Sequence, residues 1–285
     1  MRLKTVLDNL YACRSPRHLD NDPLSFCHRY QNPLDQEVVA LIASSLAYGK
    51  VSTIKKSVEK ALCVMSPSPR QFIEKFEPAP CLMALADFKH RFNDGRDLCA
   101  LFLAAKAMID QEGSIGSYFR RFYDPEDEDL TTSLTDYTAA LLHLDYSPVF
   151  HSKQIPKDSY FPFFFPSPAS GSACKRLCMF MRWMVRPADG IDLGLWKEVS
   201  PAKLIIPVDA HIQRIARFLG LTSRKQADWR MAQEITAALR RYDREDPVKY
   251  DFSLCHIGIS EGCTGRKREA CLTCALSEVC GENQE

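Results

Sequence analysis

Apolar positions along this chain recur at helical spacing almost from end to end. Ile54, Val58, Ala61, Leu62 and Met65 fall at steps of 4, 3, 1 and 3, the face of one helix that Ser52 opens and SPSP (66–69) ends. Before it, Asp35 stands as an N-cap ahead of QEVVALIASSLAY, with Gly49 where a C′ glycine belongs. The same reading predicts shorter helices over 69–76, 81–92, 97–110 and 115–123, then a longer one over 130–143. The acidic run DPEDED (124–129) between them reads as a solvated loop.

The pattern then breaks. Residues 145–172, DYSPVFHSKQIPKDSYFPFFFPSPASGS, hold five prolines and admit no long helix. A loop of this length inside a domain is commonly functional. Its aromatic run, 160–165, is expected to pack in the core or between lobes in preference to stacking on a base. Helical spacing returns over 172–185 (SACKRLCMFMRWMV). After Pro207, Asp209 is placed as the N-cap of VDAHIQRIARFLGL, with Ile212, Ile215, Ala216 and Leu219 buried and Gly220 closing the helix. Two more helices follow, over about 225–241 and 247–259. Alternating β patterns of useful length and internal repeats are both missing, so the predicted fold class is all-α.

Composition narrows the class without naming a function. With 285 residues, 46% of them apolar and 26% charged, the chain has material for one large domain or two small ones. The net charge is +1, from 37 basic and 36 acidic residues, so only local patches bear on nucleic-acid binding. Lys4 and Asp8 interrupt the N-terminal region where a secretion signal would need an apolar run, and no stretch is long and apolar enough to span a bilayer. The expected location is therefore cytoplasmic, with reduced thiols. Eight of the twelve cysteines (Cys13, Cys27, Cys63, Cys81, Cys99, Cys174, Cys178 and Cys255) are dispersed and are expected as small core residues.

The other four are concentrated as Cys263-x7-Cys271-x2-Cys274-x5-Cys280. Four thiolates this close suit a tetrahedral zinc or a [4Fe–4S] cluster. A zinc ribbon brings two C-x2-C knuckles; one is present here, among helix-compatible residues, so the spacing favours [4Fe–4S]. Arg266, Lys267 and Arg268 lie in the loop between the first two cysteines, where ligation would aim three cations outward at phosphates.

Three segments carry a resemblance to a known family. LIASSLAYGKVSTIKKSVEKAL (41–62), PVDAHIQRIARFLGL (207–221) and the terminal cysteine array are similar to segments of the helix-hairpin-helix (HhH-GPD) DNA glycosylases, in the iron–sulfur branch typified by endonuclease III. SACKRLCMFMRWMVR and DLGLW look like an uncharacterised bacterial branch of that superfamily. The likeness spans about residues 40–285. It departs at the hairpin: the family's L-P-G-V-G-x-K is matched only by PSPASGSACK (166–175), where Gly171 and Lys175 align but the turn is longer and the second glycine is missing. The resemblance implies a two-lobed helical fold, with residues 36–204 as a bundle containing the hairpin. Residues 1–35 and 205–285 would form a second lobe holding the cluster.

It also implies a monomeric base-excision repair enzyme that flips a damaged or mismatched base out of duplex DNA and breaks its N-glycosidic bond. Asp209 would stabilise the oxocarbenium-like sugar, and either Lys175 would attack the sugar carbon, with strand cleavage (AP-lyase activity) following, or a water activated by Asp209 would do so without cleavage. Gly171 and Ser172 would offer backbone N–H groups to a phosphate, with Arg176 beside them, and Tyr48 would wedge into the stack. Segment 170–225, with ten Lys/Arg against four Asp/Glu, would add positive potential. His211 and His256 are expected to be structural. The competing expectation is an iron–sulfur protein that binds DNA or RNA on the same fold without chemistry, Asp209 being only a cap.

Overall fold

Two helices with buried residues on nearly every face sit at the centre of the computed structural model, which describes residues 2–13, 19–20, 22–260, 263 and 269–280. In α2 (Pro33–Ser45) the run from Val38 to Ser45 is wholly buried, as is Arg176–Val185 of α10 (Lys175–Val185). A helix this apolar all round belongs inside a bundle. α2 packs on α10, on α3 (Val51–Val64), on α4 (Pro69–Glu74) and on a 3-10 turn, Pro23–Arg29. Asn32 rather than Asp35 caps α2, accepting from the Leu34 N–H. Asp35 lies within the first turn and accepts instead from Ser68 Oγ and the Arg70 N–H, both at 2.8 Å, so it holds the start of α4.

Around this pair lie α5 (Pro78–Ala84), α6 (Gly95–Glu112), α7 (Ile115–Arg120), α8 (Thr131–Leu142) and α9 (Ser147–Phe150). The helix expected over 81–92 ends early. Residues 89–94 form a small hairpin instead, β1 (Lys89–His90) against β2 (Asn93–Asp94), with His90 opposite Asn93. The reason is tertiary: His90 and Asn93 are buried polar residues whose partners, Ser57 for His90 and Asp97 for Asn93, come from neighbouring helices.

The C-terminal part adds α11 (Ala210–Phe218), α12 (Trp229–Arg240) and α13 (Asp251–Ser260). The N-terminal helix α1 (Arg2–Ala12) packs here. Tyr250 donates to Asp8 at 2.8 Å and Ser253 to the Leu10 carbonyl at 3.2 Å. One continuous hydrophobic core runs through both halves. The all-α expectation holds apart from the hairpin, and among the described residues no helix is long and apolar enough to cross a membrane.

No cysteine is disulfide-bonded. Cys27, Cys81, Cys99, Cys174 and Cys178 are buried as expected, but Cys13 and Cys63 are exposed, and Cys255 is half-buried in a cleft.

Candidate active-site cleft

Three helix beginnings meet at a cleft of about 570 Å³. Lys175 opens α10, Asp209 caps α11, and Asp251 opens α13. The opposite wall is the turn between α2 and α3, with Tyr48, Gly49 and Lys50. Met179 and Phe252 supply apolar surface.

The two oxygens of Asp209 are used differently. Oδ1 accepts from the His211 and Ile212 N–H groups at 2.8 and 2.9 Å, the N-cap the sequence predicted. Oδ2 lies 3.4 Å from Lys175 Nζ and 3.8 Å from Cys255 Sγ. Capping fixes the carboxylate, and the second oxygen remains for the cleft. Burial disfavours its charge, but Lys175 and the two backbone N–H groups outweigh that and hold the carboxyl below the ordinary carboxylate range. The Lys175 side chain is 35% exposed and that of Asp209 16%, so the pair stands at the cleft surface.

Asp251 is the residue that sequence reasoning missed. It is 3% exposed, lines the cleft, and accepts from Arg182 Nη1 at 2.5 Å. Burial pushes its carboxyl up to about 6 despite Arg182, with the Asp209 and Asp192 charges adding to the rise. The cleft thus holds two carboxyls with opposite tendencies, the arrangement that lets one fold hold an acid and a base side by side. Cys255 is raised well above an ordinary thiol, first by burial and then by Asp209 and Asp251, which makes it a neutral neighbour rather than a nucleophile. No sequence signal marked Asp251, because its partners are distant in the chain.

Arg182 belongs to a buried network behind the cleft. It also donates to Asp192 at 3.1 Å, while Arg186 engages Asp246 at 2.9–3.0 Å, Asp189 at 3.2 Å, and Asp192. These contacts tie α10 to α13 and to the loop between α10 and α11. His211 and His256 both line the cleft; His211 Nδ1 is buried without a partner among the described residues, and His256 Nδ1 contacts the Phe252 carbonyl at 2.9 Å.

Of the groups expected to grip a phosphate, the Gly171 N–H and the Arg176 side chain are already engaged within the protein. The Gly171 N–H is bonded to the Pro168 carbonyl at 2.8 Å and its carbonyl to the Trp229 N–H at 3.0 Å, so neither group is presented outward. The first arm of the hairpin is a 3-10 turn, Pro168–Ser170, rather than an α-helix. Ser172 Oγ accepts from the Cys174 N–H at 3.3 Å. Arg176 is 7% exposed, donates to the Ser45 and Phe163 carbonyls, and lies 3.9 Å over the Phe163 ring, so it is a core strut and not a surface contact. Burial drives its guanidinium down to about 10.

Tyr48 does line the cleft, but its hydroxyl is tied to the His90 carbonyl at 2.9 Å and to Asn93, which makes it a fixed wall rather than a mobile wedge. Part of the basic surplus of 170–225 is likewise consumed: Arg176, Arg182 and Arg186 are buried, Lys203 is held by backbone carbonyls, and Arg224 pairs at the surface with Asp228. Arg266, Lys267 and Arg268 lie outside the described residues.

Cys263, Cys271, Cys274 and Cys280 are all half-buried, and Cys263, Cys274 and Cys280 pack against the core. The Leu276 N–H points at Cys274 Sγ at 3.4 Å, the kind of donor that supports a ligating thiolate. As a donor set the four fit an iron–sulfur cluster in type. Among the described residues, though, no three Cys, His, Asp or Glu side chains converge as a metal site.

Fold and cleft together define an all-α protein with one buried acid and an acid–lysine pair between helix ends. The chain belongs to the family described as Protein of unknown function (DUF2400), whose profile matches residues 22–260. Comparison with curated proteins and with solved structures returned no significant match.

Proposed function

We propose that this protein is a DNA base-excision glycosylase in which Asp209 and Lys175 carry the chemistry. The observation behind the reading is the 3.4 Å approach of Lys175 Nζ to Asp209 Oδ2 at the surface of a cleft, between residues far apart in sequence. Lysine and carboxylate side by side suit attack on a sugar carbon. As the C1′–N bond breaks, its electron pair leaves with the base, and Asp209 stabilises the positive charge that develops on the sugar. Asp209 accepts a proton from the Lys175 ammonium and returns it to the departing base, the freed amine bonds to C1′, and cleavage of the C1′–O4′ bond, with the amine's second proton passing to O4′, gives the Schiff base that permits strand cleavage. The cleft volume of about 570 Å³ falls within the range of pockets that enclose small organic groups, which suits an extruded base.

Cys263, Cys271, Cys274 and Cys280 would hold a [4Fe–4S] cluster that fixes the C-terminal segment and its Arg266–Arg268 loop against duplex DNA. The protein would act in the cytoplasm, on DNA of the nucleoid, as a monomer.

A second reading, a nucleic-acid-binding protein without excision chemistry, is favoured by one observation: the turn has its Gly171 N–H already bonded and lacks an α-helical first arm. The two separate in one experiment. Free-base release from duplexes carrying a panel of lesions and mismatches is measured by mass spectrometry, using protein shown to contain iron and sulfide. Wild type releases a base and Asp209→Asn does not, while both bind the duplex alike. Absence of release by wild type from every duplex rejects the glycosylase reading in favour of binding alone.

A further inference from the structure

The rim of the cleft carries a surface that the proposed chemistry leaves unused. At the tip of the β1–β2 hairpin, Arg91 adopts a left-handed conformation (φ 54°) and Phe92 points outward, 46% exposed. Tyr160, from the aromatic loop, is 49% exposed. The two rings stack with centroids 5.3 Å apart and planes 23° from parallel. Phe163, 40% exposed, closes one side edge-on at 6.3 Å, and the Arg91 guanidinium lies 5.3 Å from the Phe92 centroid. Single exposed aromatics are ordinary; a contiguous stacked set marks a binding surface.

The stack is built to be rigid. Asn93, fully buried beneath it, donates to the Tyr160 carbonyl at 2.9 Å and to Asp97 at 3.0 Å, and accepts from the Tyr48 hydroxyl. Ser159 donates to the other Asp97 oxygen at 2.6 Å. Hairpin, aromatic loop, α6 and cleft wall are therefore one hydrogen-bonded unit. The hairpin also lies directly on the cleft: a Cβ on Gly49 would meet Arg91 Cδ at 2.8 Å. Arg91 lies against the stack and Lys89 precedes it on β1, neither in an ion pair among the described residues, while the neighbouring Asp94 and Asp158 are both paired with Arg96. Flat apolar faces with an uncommitted guanidinium against them match a base on a polyanionic strand.

We propose that Phe92 and Tyr160, with Arg91, form a stacking platform for an unpaired base of a nucleic-acid strand, beside the cleft mouth. The inference rests on the reading that the cleft acts on nucleic acid. Rigid aromatic faces lose little freedom on binding, and stacking accepts every base, so the platform binds without sequence preference.

The test is a fluorescence titration of the full chain with single-stranded DNA carrying 2-aminopurine, and with a duplex in which that base is unpaired. Wild type quenches the probe. Phe92→Ala and Tyr160→Ala each weaken binding about 5- to 150-fold and lose the quench, with an unchanged salt slope. Arg91→Ala lowers the slope by about 0.7 on single strands. Phe92→Trp restores quench and affinity, and unfolding midpoints near wild type show that the variants fold.

Alanine variants that bind and quench like wild type overturn the proposal, as does a wild type that binds neither probe, which would leave a protein partner for the patch. Base release measured on the same variants keeps the two readings apart. Loss of quench in the variants with no release by wild type sinks the glycosylase and leaves the platform. Release by wild type with unaltered quench in the variants does the reverse.

Discussion

Asp209 shows how one side chain serves structure and chemistry together. Its Oδ1 satisfies two N–H groups at the start of α11, while Oδ2 faces Lys175. Asparagine caps as well as aspartate, so Asp209→Asn keeps the helix and loses the charge. Asp209→Ala loses both and costs about 0.5–2 kcal/mol in addition. Urea unfolding of the two variants, read beside base release, distinguishes the cap from the chemistry.

The two cleft acids oppose each other in pH dependence. The Asp209 carboxyl is depressed, so its stabilisation is present above the ordinary carboxylate pKa of about 4 and is lost as pH falls through the lower folded value. Asp251 is raised to about 6, so the folded chain binds its proton more tightly than the unfolded chain does. Its titration therefore lowers stability as pH rises from about 4 to about 6. Measured over that window, the stability of wild type relative to Asp251→Asn declines by up to about 1.4 kcal/mol per pH unit. A difference that stays flat would show that Asp251 does not titrate there.

At the scale of elements, the cleft depends on how closely α11 approaches α13. Gly258 permits it: a Cβ there would sit 2.6 Å from both Cβ and Nδ1 of His211. Gly258→Ala therefore pushes α11 away from α13, separates Asp209 from Cys255 and Asp251, and destabilises the fold by about 1–3 kcal/mol through overpacking. A fall in unfolding midpoint accompanied by lost base release is expected; an unchanged midpoint would mean that the helices are not in close contact. The turn before α10 is the other decisive element. Cys174 caps that helix in a left-handed conformation with no side-chain hydrogen bond to its N–H groups, which leaves Lys175 in the first turn beside the cleft.

Across the whole molecule, charge is spent inside. Arg182 and Arg186 are 4% and 2% exposed and are paired with Asp192, Asp251, Asp189 and Asp246, joining α10 to the C-terminal helix, while Tyr11 of α1 donates to Asp189 at 3.1 Å. Removing one side of such a network leaves uncompensated buried charge. Arg186→Ala is expected to cost about 3–5 kcal/mol, which chemical denaturation measures directly. A loss below 1 kcal/mol would mean that water reaches Asp192. The same network takes Arg182 and Arg186 of the basic surplus in segment 170–225 out of reach of solvent. Lys175 of that segment reaches the cleft, and Lys50 and Arg91 join it from elsewhere in the chain.

The sequence by itself determined the helices with strong one-face periodicity and their punctuation: α3, α11 with its Asp209 cap, and the break across 145–172. Those features depend on neighbours within a few residues, where apolar spacing, a capping oxygen and proline act directly. It also singled out Lys175 and Asp209, one by alignment with a hairpin and one by its cap. That the two stand 3.4 Å apart was decided by tertiary structure. So were the second acid, Asp251, the interior fate of Arg176, and the hairpin that displaced the end of a predicted helix. In each of these the deciding partner lies far away in the chain: Arg182 for Asp251, Ser45 for Arg176, Ser57 for His90. A buried charge or polar group takes its role from whatever packing brings to it, and local sequence carries no record of that contact.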